Sequence, residues 1–87
     1  MSIPTNEEVL QVIREELEAI KVPGALEATE DQSWQDLDVD SLDLVELVKA
    51  LEDRFGVAIA DGRLKAIKTV GDAVALVQEL AIEGAVA

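Results

Sequence analysis

Residues 41–55, SLDLVELVKALEDRF, carry an apolar stripe of helical period that stops at a glycine. At about 100° per residue, with Leu42 set at zero, Leu44, Leu47, Val48, Leu51 and Phe55 fall between roughly 140° and 240°. That arc is a complete core-facing stripe, and Gly56 behind it supplies a left-handed stop. A helix of this length is marginal alone in water and holds only if its stripe is buried against other elements. The rest of the chain must therefore provide those partners.

Two other stretches have the same period. Thr5-Asn6-Glu7-Glu8 reads as a capping box, followed by Val9, Leu10, Ile13, Leu17 and Ile20 at helical spacing, with Pro23-Gly24 as the stop. Thr69-Val70-Gly71-Asp72 is a second box, and opens a helix with Val70, Ala73, Val74, Val77, Leu80 and Ala81 on one side. Residues 22–40 show no sustained period; Leu26, Trp34, Leu37 and Val39 are expected to pin this long connection, with Trp34 as a plug into the core. Val57-Ala58-Ile59 is an extended link, and residues 61–67 hold at most a short helical turn. No alternating β-branched run is long enough for a sheet. The expected fold is all-α, a small four-helix bundle of three longer helices and one short one, with a long loop between the first two. It forms a single domain over 1–87, with its core over about 5–81 and a frayed tail over 82–87.

Composition removes several function classes. The 87 residues include no Cys and no His, so the chain lacks a thiolate nucleophile, the commonest general base and the usual soft metal ligands. Such a chain is not expected to be an enzyme. Nineteen acids against seven bases give a net charge of −12, which repels nucleic acid and anionic lipid and favours partners with basic patches. No apolar run approaches the roughly 18 residues of a membrane span, and the acidic N-terminus does not read as a signal peptide. A cytoplasmic monomer is expected.

The side of the central helix opposite its core stripe is unusual. Leu42, Val45, Glu46, Lys49 and Asp53 cluster within about 60° of zero on the same wheel, with Asp43 and Glu52 on the flanks. Leu42 and Val45 are thus apolar residues that the core does not use, rimmed by charge. Scattered surface apolar residues are normal, but an apolar pair ringed by acids beside a helix start suits a partner with an apolar notch and surrounding Arg or Lys. Asp40, Leu42, Asp43, Val45, Glu46, Lys49, Glu52 and Asp53 are the candidate docking residues.

Ser41 stands at the head of that helix. Either Ser41 or Asp40 can serve as its N-cap; if Asp40 does so, Ser41 occupies the first helical position with its hydroxyl exposed. Without a histidine the chain cannot activate this serine itself, so chemistry there needs a base from another protein. Asp36, Asp38 and Asp40 match the opening of a calcium-loop pattern, but Ser41 replaces its turn glycine and Leu47 its bidentate glutamate, so no metal site is expected.

Asp40-Ser41-Leu42-Asp43, then Val45-Glu46-Leu47, Ala50-Leu51-Glu52, Phe55-Gly56-Val57 and Ile59, resembles the acyl carrier proteins. Asp36-Leu37 before the motif and Thr69 to Ala73 after it extend the likeness from Thr5 to about Leu80. The resemblance implies a four-helix bundle and a 4′-phosphopantetheine arm on Ser41, installed from coenzyme A by a phosphopantetheinyl transferase. It implies acyl intermediates held as thioesters and presented to acyltransferase and ketosynthase-type enzymes of fatty-acid or polyketide biosynthesis. Four departures from the family pattern stand out. Asp38 replaces a common glycine, and Ile59-Ala60-Asp61-Gly62 stands for Ile-Pro-Asp-Glu. Arg63 and Lys65 occupy places where acids are frequent, and Lys49 occupies one that is often apolar. They fit a specialised pathway carrier as well as a housekeeping one. Two alternatives stay open at this point: a peptidyl or aminoacyl carrier, and an acidic helical or calcium-responsive interaction module with no prosthetic group.

Overall fold

A computed structural model describes residues 3–86, with the side chains of Asp61 and residues 83–86 left aside. Helices α1 (Asn6–Ala19), α2 (Ser41–Phe55), α3 (Asp61–Leu64) and α4 (Val70–Val86) follow in that order, with one 3-10 turn at Ala25–Glu27. The expected four-helix bundle is what forms. Among the described residues the only β pairing is a single antiparallel bridge between Ser33 and Thr69. No described helix is long and apolar enough to cross a membrane.

Each long helix starts where a side chain satisfies an amide that the first turn leaves unpaired. Thr5 Oγ1 accepts from the amide of Glu8 at 3.1 Å. At α4 the box is reciprocal: Thr69 Oγ1 accepts from the Asp72 amide, and Asp72 Oδ2 accepts from the amides of Thr69 and Lys68. These amides, with Lys68 nearby, hold the Asp72 carboxyl below its ordinary value.

α1 ends earlier than its Pro23-Gly24 stop predicts. Lys21 takes a left-handed conformation at φ 64°, the Val22 amide donates to the Leu17 carbonyl, and the Lys21 amide donates to that of Glu18. These two bonds close the helix three residues before Gly24 is reached. α2 ends as expected on Gly56, at φ 66°. α4 is helical from Val70 to Val86. Residues 81–86 contain no proline and only Gly84 as a weak helix former, which costs about 1 kcal/mol and is not by itself a stop. Ala87 lies outside the described residues.

The core is formed by Val9, Ile13 and Leu17 of α1, Leu47, Val48 and Leu51 of α2, and Val70, Val74 and Val77 of α4. Leu44 and Phe55 pack half-buried at its margin. Val12 and Leu76 are buried as well and widen the stripes read from the sequence. No polar or charged side chain is buried among the described residues. Truncating a fully buried leucine such as Leu47 costs about 2–5 kcal/mol, because transfer and cavity terms add.

The long loop is built, not slack. Trp34, Leu37 and Val39 plug into the core as expected, but Leu26 does not; it is 55% exposed, and Val22, Ala25 and Ala28 are buried in its place. The 3-10 turn is short, so burying Ala25 directs its neighbour Leu26 outward. Residues 34–37 form one turn, entered by a reciprocal pair between Ser33 and Asp36. The turn is closed by Asp38 at φ 56°, with the Val39 amide donating to the Trp34 carbonyl at 2.8 Å. Asp38 thus holds the left-handed position that a glycine would favour, as the short polar side chain of Asp permits. The loop is tied to the start of α4: the Trp34 indole donates to the Ile67 carbonyl at 3.0 Å, and the amides of Val70 and Gly71 donate to the carbonyls of Gln32 and Glu30. A Cβ on Gly71 would stand 2.9 Å from the Glu30 oxygen, so this approach needs a glycine.

Candidate prosthetic-group attachment and docking site

The tied loop delivers the chain to Asp40 in an extended conformation, and α2 begins there. Asp40 is the cap: its Oδ1 accepts from the Asp43 amide at 2.8 Å, and its carbonyl accepts from Leu44 at 2.9 Å. Ser41 is therefore the first helical residue, and it is exposed. Of the two arrangements open to the sequence, this one leaves the serine hydroxyl free of capping duty. Unpaired amides and the positive end of the helix dipole lie beside it, a setting that favours an anionic group attached at this position.

Leu42 follows, 77% exposed. Glu46, Lys49 and Asp53 are exposed on the same side, while Val45 and Asp43 are half-buried. Leu47, Val48 and Leu51 are buried on the other side, so the core is complete without Leu42. Glu52 differs from the other docking candidates. Its Oε2 accepts from the Ile59 amide at 2.8 Å, in a part-buried setting, and holds the link that follows α2. One carboxylate oxygen of Asp40 is likewise engaged, in the cap. Asp36 and Asp40, two of the three aspartates in the calcium-like pattern, each accept a hydrogen bond from a backbone amide, in different turns.

Leu26 is the feature that pattern reading missed, since no local signal tells a loop leucine that turns outward from one that plugs inward.

An acyl carrier protein from Rhodococcus erythropolis is 40% identical over 82 residues, covering 93% of this chain and 90% of that protein. A family profile described as "Phosphopantetheine attachment site" matches residues 7–77. The chain belongs to the acyl carrier protein family. The meromycolate extension acyl carrier protein of Mycobacterium tuberculosis is 42% identical to this carrier over 77 residues, covering 87% of the carrier and 67% of the relative. The carrier's fold is similar to the solution structure of a 3,5-dioxohexyl acyl carrier protein, a triketide mimic, from the actinorhodin polyketide synthase of Streptomyces coelicolor. That match has a TM-score of 0.72 at 25% identity and covers 94% of this chain and 95% of the other.

As a member of this family the protein is a non-catalytic carrier whose prosthetic group is covalent 4′-phosphopantetheine, and it serves fatty-acid or polyketide biosynthesis. The residues present fit the group. An exposed hydroxyl at a helix start, with the cap already supplied by its neighbour, leaves room for a long arm on the outside of the bundle.

Proposed function

We propose that Ser41 is the attachment point of the arm, and that the surface formed by Leu42, Val45, Glu46 and their neighbours presents it to partner enzymes in the cytosol. The observation that carries this reading is the division of labour at the head of α2: Asp40 caps, and Ser41 is exposed. The arm supplies a terminal thiol on which an acyl chain is held as a thioester. The chain's own residues do the rest. Asp40 and its bond to Asp43 fix the first turn, so the Ser41 hydroxyl projects from a rigid helix end and not from a loop. No side chain in the sequence acts as a histidine base, so deprotonation of Ser41 falls to the transferase. Leu42 offers an apolar anchor, and Asp43 and Glu46 offer carboxylates to a basic rim, which speeds encounter and sets orientation more than it adds affinity.

The partners proposed are a phosphopantetheinyl transferase, then acyltransferase and ketosynthase-type enzymes with basic docking patches. The small residues of α4 bear on where cargo rests. Ala73 is buried beside Val74 and Val77, Ala81 is half-buried and Ala75 is exposed, so an acyl chain folded between the helices would rest beside Ala73 and Ala81 and not beside Ala75.

Intact mass after incubation with coenzyme A and a phosphopantetheinyl transferase tests the attachment. The parent should gain one arm and Ser41→Ala none; a Ser41→Ala protein that gains the arm as readily places the site elsewhere. Loading with malonyl or fatty acyl donors, and not with aminoacyl adenylates, separates an acyl from a peptidyl carrier.

A further inference from the structure

Two of the departures from the family pattern, Lys49 and Lys65, bear on one margin of the docking face. On the α2 wheel Lys49, Val45 and Glu52 lie roughly 20° to 80° to one side of Leu42, whereas Glu46 and Asp43 lie roughly 40° to 100° to the other. The bond from the Ile59 amide to Glu52 then places α3. The extended link covers about 3.3 Å per residue against about 1.5 Å per residue in the helix, so Ile59 has already returned to the level of Glu52. α3 starts two residues later, and so begins within reach of Glu52, on the side of α2 that also carries Lys49 and not Glu46.

On α3 itself Arg63 faces α4, where its guanidinium meets Glu79 at 3.5 Å. Leu64 packs half-buried against the core. Lys65 continues in helical conformation at φ −70° and ψ −23°, about 200° round from Arg63, and is exposed. Arg63 thus secures the short helix, and Lys65 is presented on the side away from α4. Lys65 and Lys49 are the exposed charges on one margin of the Leu42–Val45 pair, where the half-buried Glu52 is turned to the Ile59 amide, and Asp43 and Glu46 put negative charge on the other, in a chain of net charge −12.

We propose that the docking face is two-signed, and that it fits a partner enzyme whose apolar notch is flanked by Arg or Lys on one side and by Asp or Glu on the other. The inference rests on α2 being the docking face and adds which enzymes it admits. A partner with a wholly basic rim is attracted by Asp43 and Glu46 but repelled at Lys49 and Lys65, which is discrimination by a built-in repulsion.

The test uses the arm-bearing carrier with a type II ketosynthase whose docking rim carries only bases, and with a variant of that enzyme in which two bases on the margin facing α3 are changed to Glu. The parent carrier should show kcat/KM about fivefold higher with the variant enzyme, the size expected of two exposed charge pairs. Lys49→Glu/Lys65→Glu should reverse that preference, and Lys49→Gln/Lys65→Gln should erase it, all with thermal melts like the parent's. A preference unchanged across these carriers overturns the two-signed face. Asp43→Lys/Glu46→Lys provides the separate control. If it leaves kcat/KM unaltered with both enzymes, α2 is not the docking face; if it lowers kcat/KM while the lysine variants change nothing, α2 stands and only the two-signed inference falls.

Discussion

Asp40 and Asp43 are joined by a carboxylate-to-amide hydrogen bond of 2.8 Å, and this bond is what sets Ser41 free. The two neighbours at the helix head should therefore separate cleanly under substitution. Asp40→Ala should lower the unfolding free energy by about 1 kcal/mol, as loss of an N-cap does. Ser41→Ala should change it by no more than about 0.5 kcal/mol, as for an exposed surface site, while abolishing arm attachment. Urea melts and intact mass on the two variants check both halves. A Ser41→Ala protein as unstable as Asp40→Ala would mean that the serine shares the cap.

The tie between the long loop and α4 should be the most sensitive polar contact in the molecule. Trp34→Phe keeps most of the plug but removes the indole donor to the Ile67 carbonyl. A cost of about 1–3 kcal/mol is expected from the unpaired carbonyl and the lost ring. Trp34→Ala should cost about 3–5 kcal/mol, a large part of the stability of a domain this size. Thermal melts followed by far-UV circular dichroism read both.

Three backbone positions should respond, one in the opposite direction to the other two. Gly71→Ala, although alanine is the better helix former, should destabilise by at least about 1 kcal/mol, because its Cβ meets the Glu30 carbonyl and backbone must move. Asp38→Gly should instead stabilise by up to about 1 kcal/mol, since the residue sits at φ 56°. The same holds for Lys21→Gly at φ 64°. Denaturant midpoints at matched slopes rank the three.

Asp72 gives a pH signature with a defined sign. Its carboxyl is held below the ordinary value by the Lys68 and Thr69 amides, so the folded state favours the ionised form. The stability this contributes is present above the unfolded value of 3.8 and is lost as pH falls through the lower, folded value. The parent should therefore exceed Asp72→Asn in stability at pH 7, and the gap should close progressively below about pH 4. Urea melts of both proteins at pH 7, 4, 3 and 2.5 decide it; a gap that stays constant across this range would show that the charge on Asp72 plays no part.

Against these contacts, the reach of the sequence can be stated residue by residue. Periodicity placed α1, α2 and α4, because the spacing of Ile13, Leu17, Leu47, Leu51, Val74 and Val77 is a property of neighbours along the chain. The boxes at Thr5 and Thr69 were readable for the same reason: a cap and the amide it satisfies lie three residues apart. The missing histidine excluded self-activation of Ser41 outright. The end of α1 at Lys21 was not readable, since a lysine in left-handed backbone is held there by the bonds around it and not by its own preference. Nor was the outward turn of Leu26, which follows from the burial of Ala25 and Ala28.

The sequence by itself determined the helices, their caps, the excess of acid, and the presence of an apolar pair opposite the core stripe. Only the tertiary structure decided that Asp40 and not Ser41 takes the cap. It also decided that Trp34 and Gly71 lock the loop to the start of α4, and that Glu52 holds the link after α2 through the Ile59 amide. The reason is one of range. Caps and stripes are set within a turn or two of chain, whereas the choice between two adequate caps, and the side on which a short helix lands, depend on contacts between residues far apart in sequence.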